Sequence, residues 1–191
     1  MSREHCWLPP IKPFPHESFN VDSYREYESS LYKEYRRQFW ETHPMFEGKR
    51  VQVRRSPIID GYEESFVHFT CKNYDGAENR EPDFRRCERL HWIRPVIEHY
   101  LCKQTCDENC EGIKTWEEPY KNTVRVNFLF EEERYLVVLE KRESYCLLIT
   151  AYYLDYENTL RKHLKKYEAY KKAEDAPGCG TSPETPSTTG R

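Results

Sequence analysis

The stretch Thr123 to Tyr153, TVRVNFLFEEERYLVVLEKRESYCLLITAYY, constrains this chain more than any other. It holds the densest apolar, β-branched and aromatic segments of an otherwise polar sequence, cut by two short charged breaks. Val124, Val126, Phe128 and Phe130 alternate with Arg125, Asn127 and Leu129, the period-2 pattern of a half-buried strand. Glu131 to Arg134 interrupts that pattern as a hairpin turn would. Tyr135 to Leu139 begins a second strand, Lys141 to Ser144 supplies a polar loop of hairpin length, and Tyr145 to Tyr153 makes a third. The segment predicts a three-stranded antiparallel meander. By alternation Leu148, Thr150 and Tyr152 share one face of its last strand, so two hydroxyls would point the same way.

The rest of the chain supplies helices to cover that sheet. Residues 1–21 read as an extended arm set by Pro9, Pro10, Pro13 and Pro15, whose Trp7, Ile11, Phe14 and Phe19 would lie on the domain surface. Residues 22–173 read as a single α+β domain. Asp22 or Ser23 would cap a helix to about Glu41, with Tyr24, Tyr27, Leu31, Tyr35 and Trp40 at helical spacing. Phe46 to Arg55 reads as a strand entered through Gly48, and Ser65 to Thr70 as a second strand with His68 opposite Val67 and Phe69. Glu81-Pro82-Asp83 opens a helix running to Leu101, which Pro95 should kink or restart. Ile113 to Trp116 reads as a short edge strand, and residues 155–173 as a basic helix with Leu160, Leu164 and Tyr167 as its buried stripe. Residues 174–191 are rich in Pro, Gly, Ser and Thr and should be disordered. The architecture expected is thus an antiparallel β-meander packed against helices, with a helical part at 22–45, a core at 46–153 and the basic helix after it.

Composition narrows the function classes. The 191 residues carry a net charge of −3, so any polyanion site must come from locally clustered arginine and lysine. There is no run of about 18 apolar residues and no apolar signal core at the N-terminus, which predicts a cytoplasmic protein with no membrane partner. The eight cysteines then read as reduced thiols. Cys102, Cys106 and Cys110 recur every four residues behind His99, and Cys71 or Cys87 could complete a tetrahedron with them. The spacing is not that of the usual zinc knuckle, so no metal or other cofactor is expected. No glycine-rich phosphate loop, HExxH or nucleophile elbow occurs, which removes the commonest nucleotide-dependent and hydrolase classes.

What remains are basic clusters and histidines. Arg85, Arg86, Arg89 and Arg94, with Arg54, Arg55, Arg80, Arg125, Lys141 and Arg142, could converge on one concave face. Arginine suits phosphate because its planar fork gives bidentate bonds and its charge does not titrate away. The same residues also fit solvated helix faces paired with Glu88, Glu98 and Glu140. His68 is the best single candidate for acid–base work, beside the alternative that it is a satisfied core histidine; His91 and His99 are weaker ones.

The pieces Ser65-Phe-Val-His68-Phe-Thr70, Arg85-Arg86-Cys-Glu-Arg89-Leu-His-Trp92 and Arg134-Tyr-Leu-Val-Val-Leu-Glu-Lys141-Arg142, followed by the Thr150/Tyr152 strand end, have an order that resembles the phage and mobile-element branch of the barnase, EndoU, colicin and RelE-like ribonucleases, the BECR fold. The resemblance covers roughly Arg54 to Tyr153 and is one of layout. It implies metal-independent RNA cleavage in which the 2′-hydroxyl attacks the adjacent phosphate and leaves a cyclic phosphate. His68 would then be general base or acid, Arg86 and Arg89 would hold the phosphate, and Thr150 and Tyr152 would position ribose or phosphate, with Arg54, Arg85, Arg94, Arg125, Lys141 and Arg142 along the substrate. It also implies a toxin with an antitoxin or immunity partner. A second proton carrier has no assignment from sequence. The other readings left open are an RNA- or protein-binding module without catalysis and a zinc-stabilised structural protein.

Overall fold

The computed structural model describes residues 7–14, 20–73, 80–102 and 112–175. The expected meander forms its centre: β8 (Thr123–Phe130), β9 (Tyr135–Lys141) and β10 (Cys146–Tyr153) pair antiparallel in that order. β7 (Lys114–Tyr120) extends the sheet beyond β8 in full register, from Lys114↔Leu129 to Tyr120↔Thr123. On the other side a short hairpin of β1 (Met45–Phe46) and β2 (Lys49–Gln52) completes six strands in the order β1-β2-β10-β9-β8-β7, while β3 (Ile58–Ile59) with β4 (Tyr62–Glu63), and β5 (Cys71–Lys72) with β6 (Glu81–Pro82), form two separate two-stranded ribbons. The hairpin turns on Glu47 and Gly48, both at positive φ, the conformation that a tight right-twisted turn needs and that glycine adopts without strain. β2 runs parallel to β10 for only two pairs, Cys146↔Val51 and Leu147↔Gln52, and then leaves it.

The alternation in β8 predicts a half-buried strand, yet both of its faces are covered from Val126 to Phe130, and β9 is buried throughout Tyr135 to Glu140. One face packs Val126, Phe128, Val137, Leu139, Leu148 and Ala151 against the helices that precede the sheet in sequence. The other face packs Trp116, Leu129, Leu136 and Val138 under Leu160, Leu164 and Tyr167 of the C-terminal helix α5 (Glu157–Glu174). A sheet sandwiched between helices needs apolar residues on both sides, which is why Tyr135 to Leu139 has so few polar interruptions.

Three local expectations are corrected. Ser65 to Thr70 is not a strand but most of a helix, α2 (Glu64–Thr70), with Ser65, Phe66, Val67, Phe69 and Thr70 all buried. A short apolar run buried nearly all round carries no usable period, so alternation misleads there. The helix expected from Glu81 to Leu101 is three pieces: α3 (Phe84–Cys87), a 3-10 turn (Leu90–Trp92) and α4 (Ile93–Glu98). Asp83 caps α3 by accepting from the Arg85 and Arg86 backbone N–H groups, and Pro95 sits in the first turn of α4, where a missing N–H costs no helical bond. Finally, helix α1 (Val21–Arg36) is capped by Asn20, whose side chain and that of Ser23 each take the other's backbone N–H. A π-helical turn (Arg37–Glu41) continues it and buries Gln38 and Phe39.

The N-terminal arm is held as its aromatic residues suggested. Trp7 stacks on His99 at 5.0 Å, Trp92 Nε1 donates to the Pro9 carbonyl at 2.8 Å, and Phe14 is buried against Tyr27 and Phe84. Ile11 stays exposed, and Phe19 lies outside the described residues. Among the described residues no helix is long and apolar enough to cross a membrane.

Trp116 joins β7 to α5 through His163 and Tyr167. Trp116→Ala should therefore cost about 3–5 kcal/mol of stability, read by chemical denaturation. The amide exchange of α5 should rise before that of β8 and β9.

Candidate functional site

A cleft opens where β2 leaves β10. It has a volume of about 250 Å3 and is lined by Arg54, Glu64, Ser65, His68, Phe69, Arg80, Arg125, Leu148 and Ile149. Each residue arrives there for a local reason. Arg54 follows the end of β2, Glu64 and His68 come from successive turns of α2, and Arg125 rises from β8. Ile149 is the unpaired residue of a β-bulge, since the β10–β9 register passes from Leu148↔Leu139 to Thr150↔Val138. Bulges bend a strand and re-aim side chains, and this one lies two residues beyond the last β2–β10 pair, at the cleft.

His68 is neutral in this arrangement. Arg80 Nη1 stands 3.1 Å from its Nδ1, and a guanidinium can only donate, so Nδ1 accepts and the ring proton sits on Nε2. Burial, reinforced by the positive charges of Arg80, Arg86 and Arg54, pushes the imidazole pKa down to about 4. Arg80 also reaches toward Glu64, with Nη2 at 4.0 Å from Oε1. The wall behind is tied by Ser65, which donates from Oγ to the Arg54 carbonyl at 2.5 Å. That bond uses the Ser65 proton, so Tyr35 must donate to Ser65 Oγ at 2.8 Å. The cleft thus sets three guanidinium groups around one neutral ring and one carboxylate, with its backbone fixed by buried hydroxyls.

The other residues singled out from sequence do not all come here. Arg86 donates from Nη1 to the carbonyls of His68 at 2.7 Å and Cys71 at 3.0 Å, and its Nε lies 3.5 Å from the Asp83 carboxylate. It binds the end of α2, directly behind His68. Arg85 and Arg89 each lie 4.8 Å from the Tyr153 ring, and Arg85 pairs with Asp155 at 2.9 Å. Arg125 pairs with the buried Glu140 at 3.5 Å and lies 3.4 Å from the Tyr120 ring. Arg142 also pairs with Glu140, and Lys141 with Glu117 and Glu47. Arg94 bonds Glu98 and Thr42, away from the cleft. Thr150 and Tyr152 do share a face, the one under α5, but the bulge puts Leu148 on the opposite face, against expectation. Arg86 lies 5.7 Å from the Tyr152 ring, and burial raises the Tyr152 phenol pKa.

His91 donates from Nε2 to the Pro10 carbonyl and His99 stacks on Trp7, so both serve to hold the arm. Of the cysteine triplet, Cys102 is half-buried, and Cys106 and Cys110 lie outside the described residues. Among the described residues no group of three His, Cys, Asp or Glu side chains could hold a metal ion. Arg80 was among the arginines expected to converge, whereas the carboxylate of the cleft, Glu64, was missed. Reading Glu64-Ser65 as a helix start would have put Glu64 and His68 on one face, four residues apart.

Comparison with protein families gives no match, and comparison with curated proteins and with solved structures gives no significant one.

Two outcomes follow from the geometry. Arg80→Gln removes the cation nearest His68, so the ring pKa should rise from about 4 but stay below that of an exposed histidine, because burial is the larger cause of the shift and persists, read by NMR titration of its ring protons. Arg86→Ala should cost about 1.5–3 kcal/mol, because two backbone carbonyls lose a charged donor. Arg86→Lys should recover only part of that loss in thermal melting, since one ammonium cannot reproduce the planar fork.

Proposed function

We propose that the chain is an endoribonuclease of the BECR type, cleaving RNA by transesterification to a 2′,3′-cyclic phosphate with side chains alone. The observation that carries the reading is the cleft itself, where His68 and Glu64 share a small space with Arg54, Arg80 and Arg125. Such a set fits a phosphodiester. The guanidiniums match its non-bridging oxygens, and their charge would be worth most on the more negative pentacovalent transition state. Under this reading the neutral His68 takes the proton of the ribose 2′-hydroxyl, and the 2′ oxygen bonds to phosphorus. The P–O5′ bond breaks, and the departing 5′ oxygen takes up a proton. Under this reading that proton comes from solvent, since the carboxylate of the cleft can accept a proton but has none to give.

The resting geometry adds a condition. Arg80 occupies the Nδ1 lone pair of His68, so the base becomes available only when Arg80 turns to an anion. A bound phosphate would supply that anion, and its charge would also raise the depressed pKa toward the range useful for proton transfer. The same contact is what favours the second reading, an RNA-binding module that holds the backbone without cutting it. The resemblance to toxin families would place the protein in a phage or mobile element, with a neutralising antitoxin as partner.

The test is incubation with total RNA in EDTA, followed by end-group analysis. Cyclic phosphate ends are expected, with a rate that falls roughly 10²–10⁴-fold in His68→Ala while the melting temperature is kept. Unchanged cleavage by that variant would remove His68 from the mechanism. Intact RNA with salt-sensitive retardation would favour the binding module.

A further inference from the structure

Helix α5 has two unlike faces. At 3.6 residues per turn, Leu160, His163, Leu164, Tyr167 and Tyr170 lie along one side, all buried or half-buried against the sheet. The opposite arc carries Arg161, Lys162, Lys165, Lys166 and Lys172, separated only by the uncharged Asn158, Ala169 and Ala173, and every one of these is exposed. No carboxylate falls within that arc, in a chain whose overall charge is −3.

Helix stability does not explain the stripe. Arg161 and Lys165, and Lys162 and Lys166, are like charges four residues apart, which repel on a helix surface. Arg161 is relieved by Glu157 at 3.2 Å and Lys166 by Glu118 at 2.8 Å, both from the flanks. Among the described residues Lys162, Lys165 and Lys172 form no ion pair. From Arg161 to Lys172 the row is roughly 16 Å long, enough to follow several phosphates of a nucleic-acid strand. It also connects to the cleft: Lys166 pairs with Glu118, Glu118 is the cross-strand partner of Arg125, and Arg125 lines the cleft.

We propose that this stripe is a second, sequence-independent contact for the phosphate backbone of RNA lying in the cleft, so that the substrate is a long or folded RNA rather than a short single strand. The inference rests on the ribonuclease reading above for its choice of ligand. Cations facing solvent along a regular helix recognise backbone charge and not base identity. A small cleft of about 250 Å3 holds little more than the scissile linkage, so affinity for a large RNA would come from outside it.

The test uses the full chain and the variant Arg161→Gln, Lys162→Gln, Lys165→Gln, Lys172→Gln, leaving Lys166 to its pair with Glu118. All four sites are exposed, so circular dichroism and melting should match the wild type. Binding of a folded RNA of tRNA size is measured against salt, and cleavage of a tetranucleotide is measured in parallel. The expected result is a salt slope shallower by about 3, from four lost contacts at about 0.7–0.9 each. Affinity should fall at least 30-fold at roughly 0.1 M salt, by the same counterion argument. Tetranucleotide cleavage should be unchanged. Equal affinity and slope in variant and wild type would overturn the stripe. If the wild type cuts neither RNA, the ribonuclease reading fails, and the stripe is then judged by RNA binding alone: weaker binding by the variant supports it and equal binding overturns it. Stripe-dependent binding of polyglutamate without stripe-dependent binding of RNA would assign the face to an acidic protein and overturn the proposal.

Discussion

The double-sided burial of β9 is the constraint on which the rest of this structure depends. Once Tyr135 to Leu139 is covered on both faces, the chain must supply apolar surface from both its ends. The N-terminal two-thirds does so with Tyr35, Phe39, Phe66, Phe69, Leu90 and Ile93 on one side. Helix α5 does so with Leu160, Leu164 and Tyr167 on the other. In a chain with 33% charged residues, large aromatic side chains let relatively few positions exclude water from the sheet.

Where that cover ends, the sheet changes character. Toward the β2 end of β10, the cross-strand row Glu118, Arg125, Glu140 and Leu147 replaces the apolar rows beside it. Glu140 is almost wholly buried and is retained there by Arg125 and Arg142, since an unpaired carboxylate would be costly at that depth. Next to this charged row β2 departs and the Ile149 bulge bends β10, so the gap between strands becomes a cleft with cationic walls. Behind it, the Tyr35–Ser65–Arg54 chain and the Arg86 contacts to the end of α2 hold His68 in place without occupying the cleft. Like charges gathered around a desolvated neutral ring disfavour its protonation and favour an anion in their midst.

Much of this could be read from residues in order, and the failures have specific causes. The meander and the basic helix after it were legible because each is long enough for its period to show, and the edge strand before it was expected at Ile113 to Trp116 but runs from Lys114 to Tyr120. α2 was not, since seven residues buried almost all round have no polar side to mark the turn of a helix. The arginines of α3 and α4 looked like one cationic face. A helix broken after Cys87 and again between Trp92 and Ile93 sends Arg85 and Arg89 to Tyr153, Arg86 to the backbone of α2, and Arg94 to Glu98. Thr150 and Tyr152 kept a common face, but the bulge at Ile149 moved Leu148 to the other side, and a one-residue irregularity leaves no trace in composition.

The amino-acid order by itself determined an α+β chain with a three-stranded antiparallel centre, an arm that packs through Trp7 and Phe14, and His68 beside a surplus of arginine. Those are local properties, set by side-chain period and by proline and charge placement. Only the tertiary structure decided that Arg54, Glu64, His68, Arg80 and Arg125 meet while Arg94 and Lys141 stay apart. Their meeting depends on where β2 stops pairing with β10 and on how α2 packs into the core, and both rest on contacts between residues far apart in sequence.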